Sequence, residues 1–85
     1  MKLKESYITH DSDGEQILLD TSSSFAGLIR NNKTAAFIVE CLKEDTTEEK
    51  IVEAMLEKYD APMDVLAKDV SAVIEKLRKV GALDE

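Results

Sequence analysis

We expect the 85 residues to form one small domain, because they leave little room for a second. Its 18 acidic residues outnumber 11 basic ones, and the resulting net charge of −7 argues against a nonspecific nucleic-acid binder, which needs a basic surface. No apolar run reaches the roughly 18 residues of a membrane span, and none follows the N-terminal lysines as in a signal peptide. The single cysteine, Cys41, cannot form an internal disulfide and is typical of a reducing compartment. Together these features predict a soluble cytoplasmic protein.

The first third of the chain predicts three short strands. Residues 3–10 contain Tyr7, Ile8 and Thr9, which favour strands, and the turn residues at positions 11–14 end in Gly14. A second strand at 16–20 completes a hairpin. After a serine-rich turn, a third strand is predicted at 25–30, where Gly27 indicates a bulge or a close backbone approach.

Three helices are predicted after the strands. Asn31 or Asn32 is a good N-cap for the first helix, and Thr46 or Thr47 for the second, where Glu49 completes a capping box. The third helix runs from about 63 to 80, before a glycine that favours termination. Apolar residues at helical spacing predict the buried stripes: Ala35, Ile38, Cys41 and Leu42; Ile51, Met55 and Leu56, with Val52 and Tyr59 at the flanks; Leu66, Val70, Val73, Ile74, Leu77 and Val80. The pattern therefore predicts one α+β, winged-helix-like domain over residues 1–85, with three antiparallel strands followed by three α-helices.

Residue types that carry catalysis or bind metals are sparse. His10 is the only histidine, and no serine stands in a nucleophile-elbow pattern, so we expect no catalytic residues. Asp11 and Asp13 resemble a fragment of a calcium loop, but the later ligands are missing, and a hairpin turn is the better interpretation. Cys41, on the inner helical face, is interpreted as a buried apolar residue. The sequence therefore predicts neither a metal nor a cofactor.

Four segments, taken in order, resemble the PqqD-like family of small peptide-binding proteins. The hairpin pattern stands at residues 13–19, the first helix with its entry at 30–42, the second helix start at 46–51, and the last helix with its glycine stop at 69–83. Two positions depart from the family pattern: Ala35 replaces a small glycine, and Val39 replaces a frequent aromatic residue.

The resemblance implies a non-catalytic peptide recognition element in the maturation of ribosomally made peptides. Such a protein binds the leader of a precursor peptide and presents it to a modifying enzyme, with a radical S-adenosylmethionine (SAM) enzyme as the expected partner. The leader is expected to add as a strand beside the third strand, because an edge strand has unpaired backbone groups. The expected peptide-binding residues on the strand are Phe25, Ala26, Gly27, Leu28, Ile29 and Arg30. Those on the third helix are Val65, Asp69, Ala72 and Lys76.

Several alternatives stay open at this point. Either Leu28 or Ile29 faces the groove, since neighbouring strand residues point to opposite faces. The opposite shoulder of the third helix, namely Ala67, Ser71, Ile74 and Arg78, is a second candidate for the groove wall. The same strand edge is also suited to pairing with a second copy of the chain or to a purely structural role. A DNA-binding winged helix is disfavoured, because the second helix carries Glu48, Glu49, Glu53 and Glu57.

Overall fold

The computed structural model describes residues 1–21 and 28–85, with Leu28 described by its backbone alone. It confirms the predicted order, an antiparallel three-stranded sheet followed by three helices. The elements are β1 (Lys2–Leu3), β2 (Tyr7–Ser12), β3 (Glu15–Asp20), β4 (Leu28–Asn31), α1 (Lys33–Cys41), α2 (Glu48–Lys58), α3 (Met63–Lys79) and β5 (Leu83–Asp84). Residues 22–27, which include the first half of the predicted third strand, lie outside the described part of the chain.

The sheet is built on a tight hairpin. Ser12 pairs with Glu15 across a two-residue turn, in which Asp13 has φ +52° and Gly14 has φ +79°. Positive φ at both central residues is the type I′ geometry, which matches the twist of paired strands and favours Asp-Gly. β4 pairs with the other side of β3, so the strand order is β2-β3-β4 and the two outer strands are edges.

A second, two-stranded sheet joins the ends of the described chain and was not predicted. β1 pairs antiparallel with β5, placing buried Leu3 opposite buried Leu83. The amide of Leu3 donates to the carbonyl of Leu42 at 2.8 Å, which connects this sheet to the loop after α1. Leu3 therefore does not belong to the first strand of the hairpin, because a turn closed by the Tyr7 amide and the Lys4 carbonyl (3.0 Å) separates the two.

Side-chain caps fix the starts of α1 and α2. The Asn32 carboxamide oxygen accepts a hydrogen bond from the Ala35 amide at 2.9 Å, and the Thr47 hydroxyl accepts one from Lys50 at 3.2 Å. Since Thr47 is the cap, the third helical residue is Lys50, and the capping box predicted with Glu49 does not form. At the other end of the domain, α3 stops before Gly81, whose φ of +77° suits glycine.

The core lies between the inner face of the sheet and the three helices. Its buried apolar residues are Leu3, Leu18, Ile38, Val39, Leu42, Ile51, Val52, Met55, Leu66, Val70, Ile74, Leu77, Ala82 and Leu83. Two members of the predicted stripes are wrong, because Leu56 is 39% exposed and Val80 is 49% exposed. α2 buries Ile51 and Met55 as predicted, together with Val52 from the flank of its stripe, and Val80 is the C-cap of α3, one residue beyond the helix.

Candidate functional site

Among the described residues, no strand pairs with the outer backbone edge of β4, which can therefore accept an incoming strand. In the hairpin, closed by the Ser12–Glu15 pair, the odd-numbered residues of β3 bond to β2, so its even-numbered residues bond to β4. Ile29 and Asn31 face those even-numbered partners, and the N–H and C=O groups of Leu28 and Arg30 point away from the sheet. Such an edge is a template for one further strand.

The register also resolves which residue of the Leu28–Ile29 pair faces the core. Ile29 pairs with fully buried Leu18 and packs against the core. Leu28, opposite Leu19, therefore occupies a register position on the outer face of the sheet, as does exposed Arg30. Ile29 therefore supports the edge strand from the core side of the sheet.

A hollow of about 230 Å³ lies at the carboxyl end of β4, between α1 and α3. Asn32, which directly follows β4, forms one wall together with Thr34 and Ala35. The other wall consists of Asp69, Ala72 and Val73 of α3. This volume is below the roughly 300 Å³ at which small-molecule pockets begin, so the hollow suits one side chain better than a cofactor.

The lining of the hollow is half polar and half apolar, with Asn32, Thr34 and Asp69 beside Ala35, Ala72 and Val73. Ala35, Ala72 and Val73 supply methyl groups, and exposed Asp69 supplies a carboxylate. Ala72 is important because its small side chain leaves the space open. The arrangement accommodates an apolar side chain from an extended peptide, with Asp69 able to pair with a cationic neighbour of that side chain.

The structure brings together only part of the residue set predicted from the sequence. Asp69 and Ala72 line the hollow, whereas Val65 and Lys76 are exposed on α3 outside it. The three remaining strand residues, Phe25, Ala26 and Gly27, lie outside the described residues.

The first turn of α1 was missed by the sequence reasoning. Asn32, Thr34 and Ala35 line the hollow, yet none was predicted as a site residue. The signal was present, because a single residue separates β4 from α1, and this spacing forces the start of the helix to lie at the end of the edge strand.

The opposite shoulder of α3 is engaged in other contacts. Ile74 is fully buried, and Arg78 forms ion pairs with Glu75 and with Glu85 of the C-terminal segment. The side of α3 that carries Asp69 and Ala72 is therefore the better candidate for a groove wall.

A buried polar network fixes the end of β4. The Asn31 amide group donates to Gln16 Oε1 at 3.0 Å, and Gln16 Nε2 donates to Glu40 Oε1 at 3.1 Å. The network connects β4, β3 and α1, so the edge and one wall of the hollow are held in a defined relative position.

A larger hollow of about 610 Å³ lies on another side of α1, where the hairpin turn approaches the end of α2. Phe37 and Tyr59 meet there edge to face, with ring centroids 6.1 Å apart, and Lys58 Nζ lies 4.6 Å from the Phe37 ring centroid. Its rim mixes both signs of charge, from Lys33, Lys58, Asp11, Glu15 and Glu40. This mixture indicates no single ligand class, and the hollow does not adjoin the free edge of β4.

The metal-ligating residue types and Cys41 are the other groups considered in the sequence. Within residues 1–21 and 28–85, no cluster of three or more histidine, cysteine, aspartate or glutamate side chains is placed to hold a metal. Burial raises the pKa of the half-buried Cys41 thiol, and the charge of Glu40 raises it further, against a smaller opposing effect of Lys58. A raised pKa disfavours the reactive thiolate. In the same described ranges, no helix is long and apolar enough to cross a bilayer.

Comparison with known proteins points to one family. The family model of coenzyme PQQ synthesis protein D (PqqD) matches residues 15–83. No curated protein matches the chain.

Two solved structures share the fold. The chain resembles TbiB1, solved in complex with the TbiA(beta) leader peptide, with a TM-score of 0.83 at 20% identity over 99% of this chain and 95% of the other. It also resembles lasso peptide synthetase B1, complexed with the leader peptide, with a TM-score of 0.78 at 21% identity over 95% of this chain and 93% of the other. The two TM-scores show that these proteins share the fold of this chain.

Proposed function

The chain belongs to the PqqD family, and we propose that it is a non-catalytic protein that binds the leader of a ribosomally made precursor peptide. The leader adds as a strand to β4, and the protein presents the remainder of the precursor to a modifying enzyme in the cytoplasm. Both structural relatives are complexes with leader peptides, which supports this choice of ligand.

The observation that carries the proposal is the junction of a free strand edge with a side-chain-sized hollow. The outward groups of Arg30 and Leu28 supply backbone hydrogen bonds, which give affinity without sequence preference. The hollow beside Ala72 and Asp69 then selects a side chain of the bound strand, since alternate residues of that strand point to the same face. Affinity and specificity thus come from adjacent parts of one surface.

The modifying enzyme is proposed by class. A radical SAM enzyme is the partner implied by the resemblance, and the other components of a lasso peptide synthetase are the partner suggested by the second structural relative. In either case the bond-forming chemistry belongs to the partner, and the role of this chain is to bind and orient the peptide.

Two alternative functions use the same elements. Pairing of β4 with a second copy would occupy the edge but would leave the hollow between α1 and α3 without a role. DNA binding by a winged helix is opposed by the exposed Glu48, Glu49 and Glu53 on α2, which would be repelled by phosphates.

The test begins with recovery of the ligand. The tagged chain is purified gently from its native cytoplasm, bound peptides are identified by mass spectrometry, and the recovered leader is synthesised for calorimetric titration. We expect Ala72→Asp to lower leader affinity at least tenfold, by filling the hollow with a charge.

Ser71→Asp is the matched control, because Ser71 is the exposed neighbour outside the hollow and receives the same charge. It should bind the leader like the wild type, and circular dichroism should show both variants folded. Equal affinity of the two variants would overturn the groove assignment. Recovery of the chain alone, as a dimer, would favour pairing between copies.

A further inference from the structure

The sheet has a second free edge, on β2, away from the proposed leader site. The backbone N–H and C=O groups of Ile8 and His10 point toward β3, so those of Thr9 and Asp11 point outward. In the described part of the chain, no other backbone group bonds to these two residues. β2 is therefore as capable of accepting a strand as β4.

A hollow of about 430 Å³ adjoins this edge and is basic. Lys2, Lys4 and Lys43 line it together with Thr9 and Ile8, and Glu5 is the one acidic residue among the described residues that line it. Lys43 Nζ donates to the Thr9 hydroxyl at 2.8 Å and pairs with Glu40 at 3.0 Å. The basic hollow thus lies directly beside β2, in a chain whose net charge is −7.

The two faces of β2 differ in chemistry. Thr9, on the inner face, contacts Lys43, while Ile8, on the outer face, is 49% exposed. A strand added to this edge would therefore direct alternate side chains toward lysines and toward an apolar residue. A segment that alternates acidic and apolar residues matches both.

We propose that the β2 edge binds an extended segment of a partner protein in which acidic and apolar residues alternate. Backbone pairing at Thr9 and Asp11 holds the segment, its carboxylates face Lys4 and Lys43, and its apolar side chains contact Ile8. The site is separate from β4, because β3 lies between the two edges. A leader and a partner segment can therefore bind at the same time.

A second copy of the chain fits this edge poorly. Antiparallel pairing of two β2 strands would bring their lysine-lined hollows together, and like charges at an interface oppose association. A segment of opposite charge removes that cost and gains attraction from the same residues.

The test uses the full chain, labelled with ¹⁵N, and the synthetic peptide acetyl-Glu-Val-Glu-Val-Glu-Val-Glu-amide as probe. We expect saturable shifts of the Thr9 and Asp11 amide signals, weakening as salt is added. The peptide in which lysine replaces each glutamate should produce none. Lys4→Glu should lower the affinity for the acidic peptide about fivefold, because it replaces an attraction by a repulsion.

Lys50→Glu is the matched control, because it changes the net charge equally on α2, outside the basic hollow. It should leave the affinity within about twofold of the wild type. The proposal is overturned if no saturable shift occurs, if only β4 amides such as Arg30 respond, or if Lys4→Glu binds like Lys50→Glu. Concentration-dependent shifts of the Thr9 amide without peptide would overturn it in favour of self-association. Leader binding at β4 is tested separately, by titration with the recovered leader.

Discussion

The side-chain amide of Asn31 donates a hydrogen bond of 3.0 Å to Oε1 of Gln16, and both side chains are nearly inaccessible, at 5% and 2% exposure. The side-chain amide of Gln16 in turn donates a hydrogen bond to Glu40 of α1. Buried polar groups cost free energy unless they are paired, so this pair specifies one arrangement of β4 against β3. The proposed leader edge is thereby fixed before any peptide binds.

Replacing Asn31 by leucine should lower the free energy of unfolding by about 1–3 kcal/mol, because Gln16 Oε1 is left buried without a donor. The measurement is urea denaturation. The double variant Gln16→Leu/Asn31→Leu should lose less free energy of unfolding than the two single variants together, since no buried acceptor then lacks a partner. Strictly additive losses would show that the two amides do not act as a pair.

The two side-chain caps provide a comparison between stability and binding. Thr47→Ala and Asn32→Ala should each lower the free energy of unfolding by about 1 kcal/mol, because each removes the acceptor for a helix amide. Only Asn32 also lines the hollow at the end of β4. Calorimetric titration should therefore show weakened leader binding for Asn32→Ala alone, and an equal loss in both variants would contradict the assignment of the hollow.

Local patterns in the sequence were sufficient for much of the fold. The Asp13-Gly14 turn, the Asn32 cap and the Gly81 stop each depend on a few neighbouring residues, and all three are present in the structure. The pairing of β1 with β5 had no such signal, because two two-residue strands at opposite ends of the chain carry no periodicity.

The candidate site was predictable only in part for a related reason. Asp69 and Ala72 were found because the third helix has a long, regular pattern whose flanks are easily assigned. Thr34 and Ala35 were missed because a hollow depends on how two helices pack, and packing distance is not encoded in the pattern of either helix alone. The exposure of Leu56 has the same cause, since α3 determines which side of α2 is covered.

We predict that the protein loses stability at alkaline pH as the Tyr7 hydroxyl loses its proton. Burial raises the pKa of Tyr7 above its ordinary value of 10.0, and the charge of nearby Asp20 raises it further. The folded state therefore holds this proton more tightly than the unfolded state. The contribution of Tyr7 to stability is complete below about pH 10 and is lost as the pH rises through the raised pKa.

Two measurements check this behaviour. In a Tyr59→Phe background, where Tyr7 is the only tyrosine, the phenolate absorbance should titrate above pH 10 in the folded protein. Denaturation at increasing pH should show a smaller alkaline loss of stability in Tyr7→Phe than in the wild type. A titration midpoint at or below the ordinary value would contradict the burial of this hydroxyl.

Ala35 and Ala36 distinguish the two hollows beside α1. Ala35 lines the hollow at the end of β4, whereas its neighbour Ala36 lines the larger one near Phe37. Ala35→Leu fills space that the leader side chain would occupy, and should weaken leader binding roughly tenfold in calorimetric titration. Ala36→Leu makes the same change on the other side of the helix and should bind like the wild type.

Since both alanines are half-buried, urea denaturation must accompany the titration. We expect each variant to lie within about 1 kcal/mol of the wild type, because each hollow has room for the added atoms. Weaker leader binding in Ala36→Leu, with unchanged binding in Ala35→Leu, would instead assign the leader site to the hollow beside Phe37 and Tyr59. Because the two substitutions are chemically identical and adjacent, a difference in affinity between equally stable variants reports the side of α1 on which the peptide lies.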